Sequence, residues 1–192
     1  VIMTIMNIFK MFLLLPIIVT SMYLANTYVL QQPETLSEPI AKEVDQKQLQ
    51  CLADNIYHEA GAESTEGKAA VAWVVLNRIS HGGFGATPCK VVYQSNKVKQ
   101  INEETEQPFW VKVCQFSWVC ENKKNPNRKS SVYQSSLQVA YDVLAYDKYK
   151  EIIPRTVLFF HNKTVITQWP HEVVKVIGNH IFYKKKSKHH DR

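Results

Sequence analysis

Apolar side chains run from Met11 to Leu30 without a single charge, a stretch that covers about 30 Å as a helix. That length predicts a transmembrane helix within residues 1–30, while "SMYLA" (21–25) ends in the small residue that a cleaved signal peptide would also need. Lys10 precedes the segment and the mildly acidic "QQPETLSEPIAKEVDQ" follows it, so the charge bias puts the N-terminus in the cytoplasm and the rest of the chain outside. Residues 31–47 carry Pro and Glu and few apolar side chains; they are expected to form a linker that reaches at most ~60 Å when extended.

Past the linker the apolar spacing becomes helical. Leu49, Leu52, Ala53, Ile56, Tyr57 and Ala60 recur three or four apart, which predicts an amphipathic helix over 48–60 ending at Gly61. Ser64 or Thr65 caps a second helix, "EGKAAVAWVVLNRIS", apolar on nearly every side as a helix through a core should be. "HGGFGATP" reads as a loop; the short apolar piece 91–93 and a polar insert, "NKVKQINEETEQPFW", lead to "CQFSWVC". Tyr133, Leu137, Ala140, Tyr141 and Leu144 predict a third helix over 131–147 with Ser130 as its cap. After Pro154, "TVLFF", "TVIT" and "VVKVIGNHIFYK" are β-branched and aromatic runs, and they predict a small antiparallel sheet. The expectation is an α+β domain over 48–184, mainly helical with a small C-terminal antiparallel sheet, followed by a basic tail over 185–192.

Composition narrows this picture. With 192 residues, 45% hydrophobic and 21% charged, the chain suits one core with appendages and is not a disordered polymer. The net charge of +6 owes much to "KKKSKHHDR", where no aromatic residue interleaves the charges, so a solvated terminus is expected and no nucleic-acid binding. Cys51, Cys89, Cys114 and Cys120 lie in the exported part, where thiols oxidise, and their spacing matches no zinc pattern. Of the three complete pairings, one with a small loop closed by Cys114 and Cys120 is favoured.

The chemistry concentrates in "NIYHEAGAES" (55–64). A zinc-binding His-Glu-x-x-His helix fails here because Ala62 stands where the second imidazole would be; no metal ligand and no cofactor is expected. A proton donor is the better fit. Glu59 follows Ile56 and Tyr57 at a helix end, and Glu63 comes within reach if the chain turns at Gly61. Raising a glutamate from ~4.3 to ~6 takes about 2 kcal/mol of differential interaction, which partial desolvation or a nearby carboxylate supplies. His58 neighbours Glu59, but adjacent helical positions point about 100° apart, so it is left outside the site. "CQFSW", "TQWP" and "GNHIFY" add aromatic and amide groups of the kind that line sugar sites, and equally of the kind that fill cores.

In order, "IYHEAGAESTEGKAAVAWVVLNRI", "PCKVVYQ", "CQFSWVC", "VLFFH" and "IGNHIFY" resemble the cell-wall hydrolase family of the spore-cortex-lytic enzymes, over about residues 52–183. The resemblance implies a lysozyme-related fold and cleavage of peptidoglycan glycan strands. By position Glu59 matches the first glutamate of the family's Glu-Ala-Arg-Gly-Glu motif, its catalytic acid, and Glu63 the second; Gly61 and Ala62 stand where Arg and Gly are usual. A lytic transglycosylase is implied, in which Glu59 protonates the oxygen leaving N-acetylmuramic acid and then takes the proton of that sugar's 6-hydroxyl, closing a 1,6-anhydro ring. Gln115, Phe116, Ser117, Trp169 and His180 are expected to hold the sugar and its N-acetyl groups. Asn77 and Arg78 match the family's "LNR" segment as hydrogen-bonding supports of the core helix. Hydrolysis with Glu63 as second carboxylate, a zinc-dependent amidase and a non-catalytic wall-binding module are the competing readings.

Overall fold

Helix α1 (Gln46–Ala60) begins two residues earlier than its apolar spacing suggests, because Asp45 caps it. The Asp45 side chain accepts from the N–H groups of Lys47 (2.8 Å) and Gln48 (3.1 Å). These coordinates are a computed structural model and describe residues 40–121, 123 and 125–186. The transmembrane prediction for 1–30, most of the linker and nearly all of the basic tail lie outside the described residues. Among the described residues no helix is long and apolar enough to cross a membrane. From Ala41 onward the chain forms one unit.

The stripe Leu49, Leu52, Ala53, Ile56 and Ala60 is buried, as the three-and-four spacing requires. Helix α2 (Thr65–His81) is capped by Ser64, whose Oγ accepts from the Gly67 N–H at 3.3 Å, and every residue from Gly67 to Val75 is buried. It runs through the centre of the domain, as its all-round apolar sequence predicts. Helix α3 (Pro88–Val92) has Thr87 as its cap and Pro88 in its first turn, where a missing N–H costs nothing. Helix α4 (Ser117–Cys120) is a single turn. Helix α5 (Ser131–Tyr146) takes the Ser130 cap expected of it and stops at Asp147, in the left-handed region at φ 52°. Tyr133, Ser136, Val139, Ala140 and Val143 turn its buried face inward, and α5 packs on both α1 and α2.

Two separate antiparallel sheets accompany the helices. The polar insert is a hairpin, β1 (Ser95–Ile101) with β2 (Pro108–Cys114), paired in register from Ser95↔Cys114 to Ile101↔Pro108. The C-terminal sheet has β3 (Val157–Asn162), β4 (His171–Ile177) and β5 (His180–Lys185) in the order β3-β5-β4. The run "VVKVIGNHIFYK" thus holds most of β4 and β5 and the turn between them. "TVIT" is a loop instead of a strand; its Val165 and Ile166 are exposed and find no core to cover.

Side chains on α2 fasten this sheet to the helices. Asn77 Nδ2 donates to the carbonyls of Pro154 and Val157, both at 3.0 Å, and Arg78 Nε to the carbonyl of Leu158 at 2.8 Å. These are the supports expected of the "LNR" segment. Disulfides Cys51–Cys89 and Cys114–Cys120 tie α1 to α3 and β2 to α4. The second is the small loop expected from sequence.

Candidate active site

The C-terminal turn of α1, the loop after it, the start of α5 and the β4–β5 turn enclose a groove of about 560 Å³, within the range of small-ligand sites. Glu59, Glu63 and His180 all line it, joined by Tyr57, His58 and Asn179. The two glutamates meet different surroundings. Burial pushes the Glu59 carboxyl up to about 7; the cations of Lys123 and Arg78 oppose the shift and Glu121 adds to it, each more weakly. Among the described residues no group hydrogen-bonds this carboxyl. Near neutrality it keeps a proton that it can give away.

Arg78 is one of the cations that act on it. The guanidinium is buried and has no ion pair among the described residues; its carbon lies 5.0 Å from the Phe116 ring centre and 5.2 Å from that of Phe84. Nη1 is buried without a hydrogen-bond partner. Burial pulls its pKa down to about 10 against the attraction of Glu59, the charged neighbour that acts on it.

Glu63 is held on both oxygens. Oε2 accepts from the Asn179 backbone N–H at 3.2 Å and Oε1 from Asn179 Nδ2 at 3.0 Å, while Lys68 Nζ donates to the Glu63 carbonyl at 2.7 Å. The β4–β5 turn can approach this closely because Gly178, at φ +55°, has no Cβ; one there would collide with Oε2. On the other side a Cβ on Gly67 would come within 2.7 Å of the Glu63 Cβ. Only 8% of the Glu63 side chain is exposed.

His180 is buried with Nδ1 3.9 Å from Glu63 Oε1, too far for a hydrogen bond, and Nδ1 has no partner. Burial lowers its pKa, opposed by Glu63, so the ring is neutral near pH 7 and the contact is not an ion pair.

Four other residues expected to hold sugar lie away from the lining of this groove. Phe116 is 3% exposed and packs between Arg78 and Phe160 in the core. Gln115 is half-buried with its backbone N–H on the Gln94 carbonyl, and Ser117 is exposed at the start of α4. Trp169 is exposed and belongs to a separate aromatic cluster with Phe159, His161, His171 and Tyr183. Conversely His58, left out because of the 100° step between neighbours, does line the groove. It stacks on Trp118 with ring centres 4.3 Å apart, and Trp118 Nε1 donates to Asn55 Oδ1 at 3.1 Å. At the last turn of the helix both neighbours reach the opening despite the angle between them. Asn179 is not among the residues expected from sequence, and its signal is the "IGNH" turn, where a glycine between two apolar runs brings a backbone N–H and an amide to one point.

The cell wall hydrolase family profile matches residues 62–183, well over half of the chain, beginning three residues after Glu59. The catalytic domain of the Bacillus cereus SleB protein, a crystal structure, is similar at 23% identity and a TM-score of 0.46, covering 76% of this chain and 95% of that one. No curated protein sequence matches. The matched span holds the core helix α2, the Glu63 clamp and all of the C-terminal sheet but the last two residues of β5, and the chain belongs to the cell wall hydrolase family, as a peptidoglycan-cleaving enzyme.

Proposed function

We propose that the enzyme is a lytic transglycosylase that cuts glycan strands between N-acetylmuramic acid and N-acetylglucosamine, with Glu59 as its only acid and base. The carrying observation is the desolvated Glu59 carboxyl, protonated up to about pH 7 in a groove of ligand size. Its proton goes to the glycosidic oxygen as the bond to the muramic anomeric carbon breaks. The carboxylate so formed faces the cation of Arg78, which gains a counter-charge at that moment. That carboxylate then takes the proton of the muramic 6-hydroxyl while the 6-oxygen closes on the anomeric carbon. Glu59 is regenerated and no water is consumed.

Hydrolysis would need a second carboxylate free to activate water or to attack. Glu63 is committed to the two donors of Asn179, which fits a residue that shapes the groove. Neutral His180 beside it is suited to an N-acetyl group of the substrate. Phe116 acts through Arg78, and Gln115, Ser117 and Trp169 serve at most more distant stretches of glycan. The apolar N-terminal segment is proposed to hold the enzyme at the membrane with this domain on the wall side.

Mass spectrometry of products released from purified peptidoglycan tests the reading. Anhydro-muramic ends are expected, and the yield should not respond to a chelator. Reducing muramic ends would replace it with hydrolysis, and free stem peptides with an amidase.

A further inference from the structure

The β1–β2 hairpin has almost no core. Six of the seven β1 residues and five of the seven in β2 are exposed. An isolated two-stranded ribbon is marginal by itself, and this one is tied at its end by Cys114–Cys120. Direct cross-strand partners share a face, so the pairs Lys97↔Lys112, Lys99↔Trp110 and Ile101↔Pro108 put three ammonium groups, an indole and two apolar side chains on one side. Trp110 is 66% and Ile101 68% exposed. Like charges placed opposite each other work against the ribbon, and a water-facing indole contributes nothing to folding. Neither choice serves stability, so both point to a ligand.

We propose that this face is a second binding site for the wall polymer, outside the catalytic groove. Trp110 offers a flat apolar platform to a sugar ring, and Lys97, Lys99 and Lys112 offer cations to the carboxylates of the stem peptides. The opposite face, with Val98, Val111 and Phe109, carries no charge and does not share this chemistry. The wall polymer is the occupant because the family cleaves it; an anionic membrane would draw on the same three cations, and vesicles separate the two below. The inference borrows only the identity of the polymer from the reading of the groove.

The test is co-sedimentation on ice with insoluble, purified peptidoglycan, using the full chain carrying Glu59→Gln, with and without Lys97→Gln, Lys99→Gln, Lys112→Gln and Trp110→Ala. The hairpin variant should bind about tenfold more weakly or worse, and the parent's binding should weaken with salt. In the Glu59 background, the hairpin variant should cleave short soluble glycan fragments within about twofold of the parent rate, while losing activity on intact peptidoglycan. Protection of the three lysines from acetylation, read on the unaltered hairpin, makes the same measurement without depending on how the variant folds. Unchanged sedimentation, or lysines that acetylate equally with and without polymer, would overturn the proposal. So would lysines that the polymer leaves open but phosphatidylglycerol vesicles protect. A failure of the single-acid mechanism shows instead as cleavage by the Glu59→Gln chain, so the two failures are distinguishable.

Discussion

The last turn of α1 and the loop that follows it carry the same side chain four residues apart and treat it in opposite ways. At Glu59 the chain removes water and supplies no hydrogen bond, so the carboxyl holds its proton to about pH 7. At Glu63 it removes nearly as much water but brings up Asn179 with two donors, and the turn that carries them is shaped around the carboxylate by Gly178. What sets the two apart is that the fold gives Glu63 two hydrogen-bond donors and gives Glu59 none among the described residues.

The largest expected effect separates the two directly. Glu59→Gln should reduce glycan cleavage by about a thousandfold with the fold intact, measured as soluble product released from purified peptidoglycan. Because folding raises this carboxyl from 4.5 to about 7, its stabilising contribution is present below pH 4.5 and is lost as pH rises toward 7. Relative to the Glu59→Gln chain, the parent should lose up to about 3 kcal/mol across that window in thermal or denaturant unfolding. A flat difference would mean that the carboxyl is solvated.

Next comes the clamp. Gly178→Ala puts a methyl group where Glu63 Oε2 sits and strains a left-handed position, and should cost about 1–3 kcal/mol of stability. Glu63→Gln should lower turnover by only about tenfold, because it disturbs one of the two Asn179 bonds and removes no reacting group. If it were as inactive as Glu59→Gln, both carboxylates would be chemical and hydrolysis would be the better reading. The smallest effect concerns Arg78. Arg78→Met should move the alkaline limb of the rate profile up by about one unit, since the carboxylate loses its cation, whereas Arg78→Lys should leave the limb near its original place. Equal limbs in both variants would leave Arg78 a purely structural residue.

The three long helices were legible because α1 and α5 bury a stripe and α2 buries nearly all of its middle, and burial writes itself into the sequence as spacing or as an all-round apolar run. The start of α1 was misplaced, because Asp45 sits inside a polar stretch that reads as linker, and α3 and α4, five and four residues long, are too short to show a period. The hairpin was not legible. Its strands leave both faces in water, and its turn contains no glycine; Glu106 takes the left-handed place at φ 54° instead. "TVIT" failed in the opposite way, since β-branched residues make a strand only where a neighbouring edge accepts them. In the site, the two glutamates and His180 could be named from their motifs. Phe116 packs under Arg78 and away from the groove, since an aromatic ring that packs under an arginine and one that packs under a sugar are the same residue in sequence.

Both disulfides bear on the groove from outside it. Cys51 lies on the helix that delivers Glu59, and the other bridge braces α4, whose Trp118 supports His58. A chain kept among reducing thiols would lack both braces, the one on the helix that carries Glu59 and the one beneath the ring that supports His58.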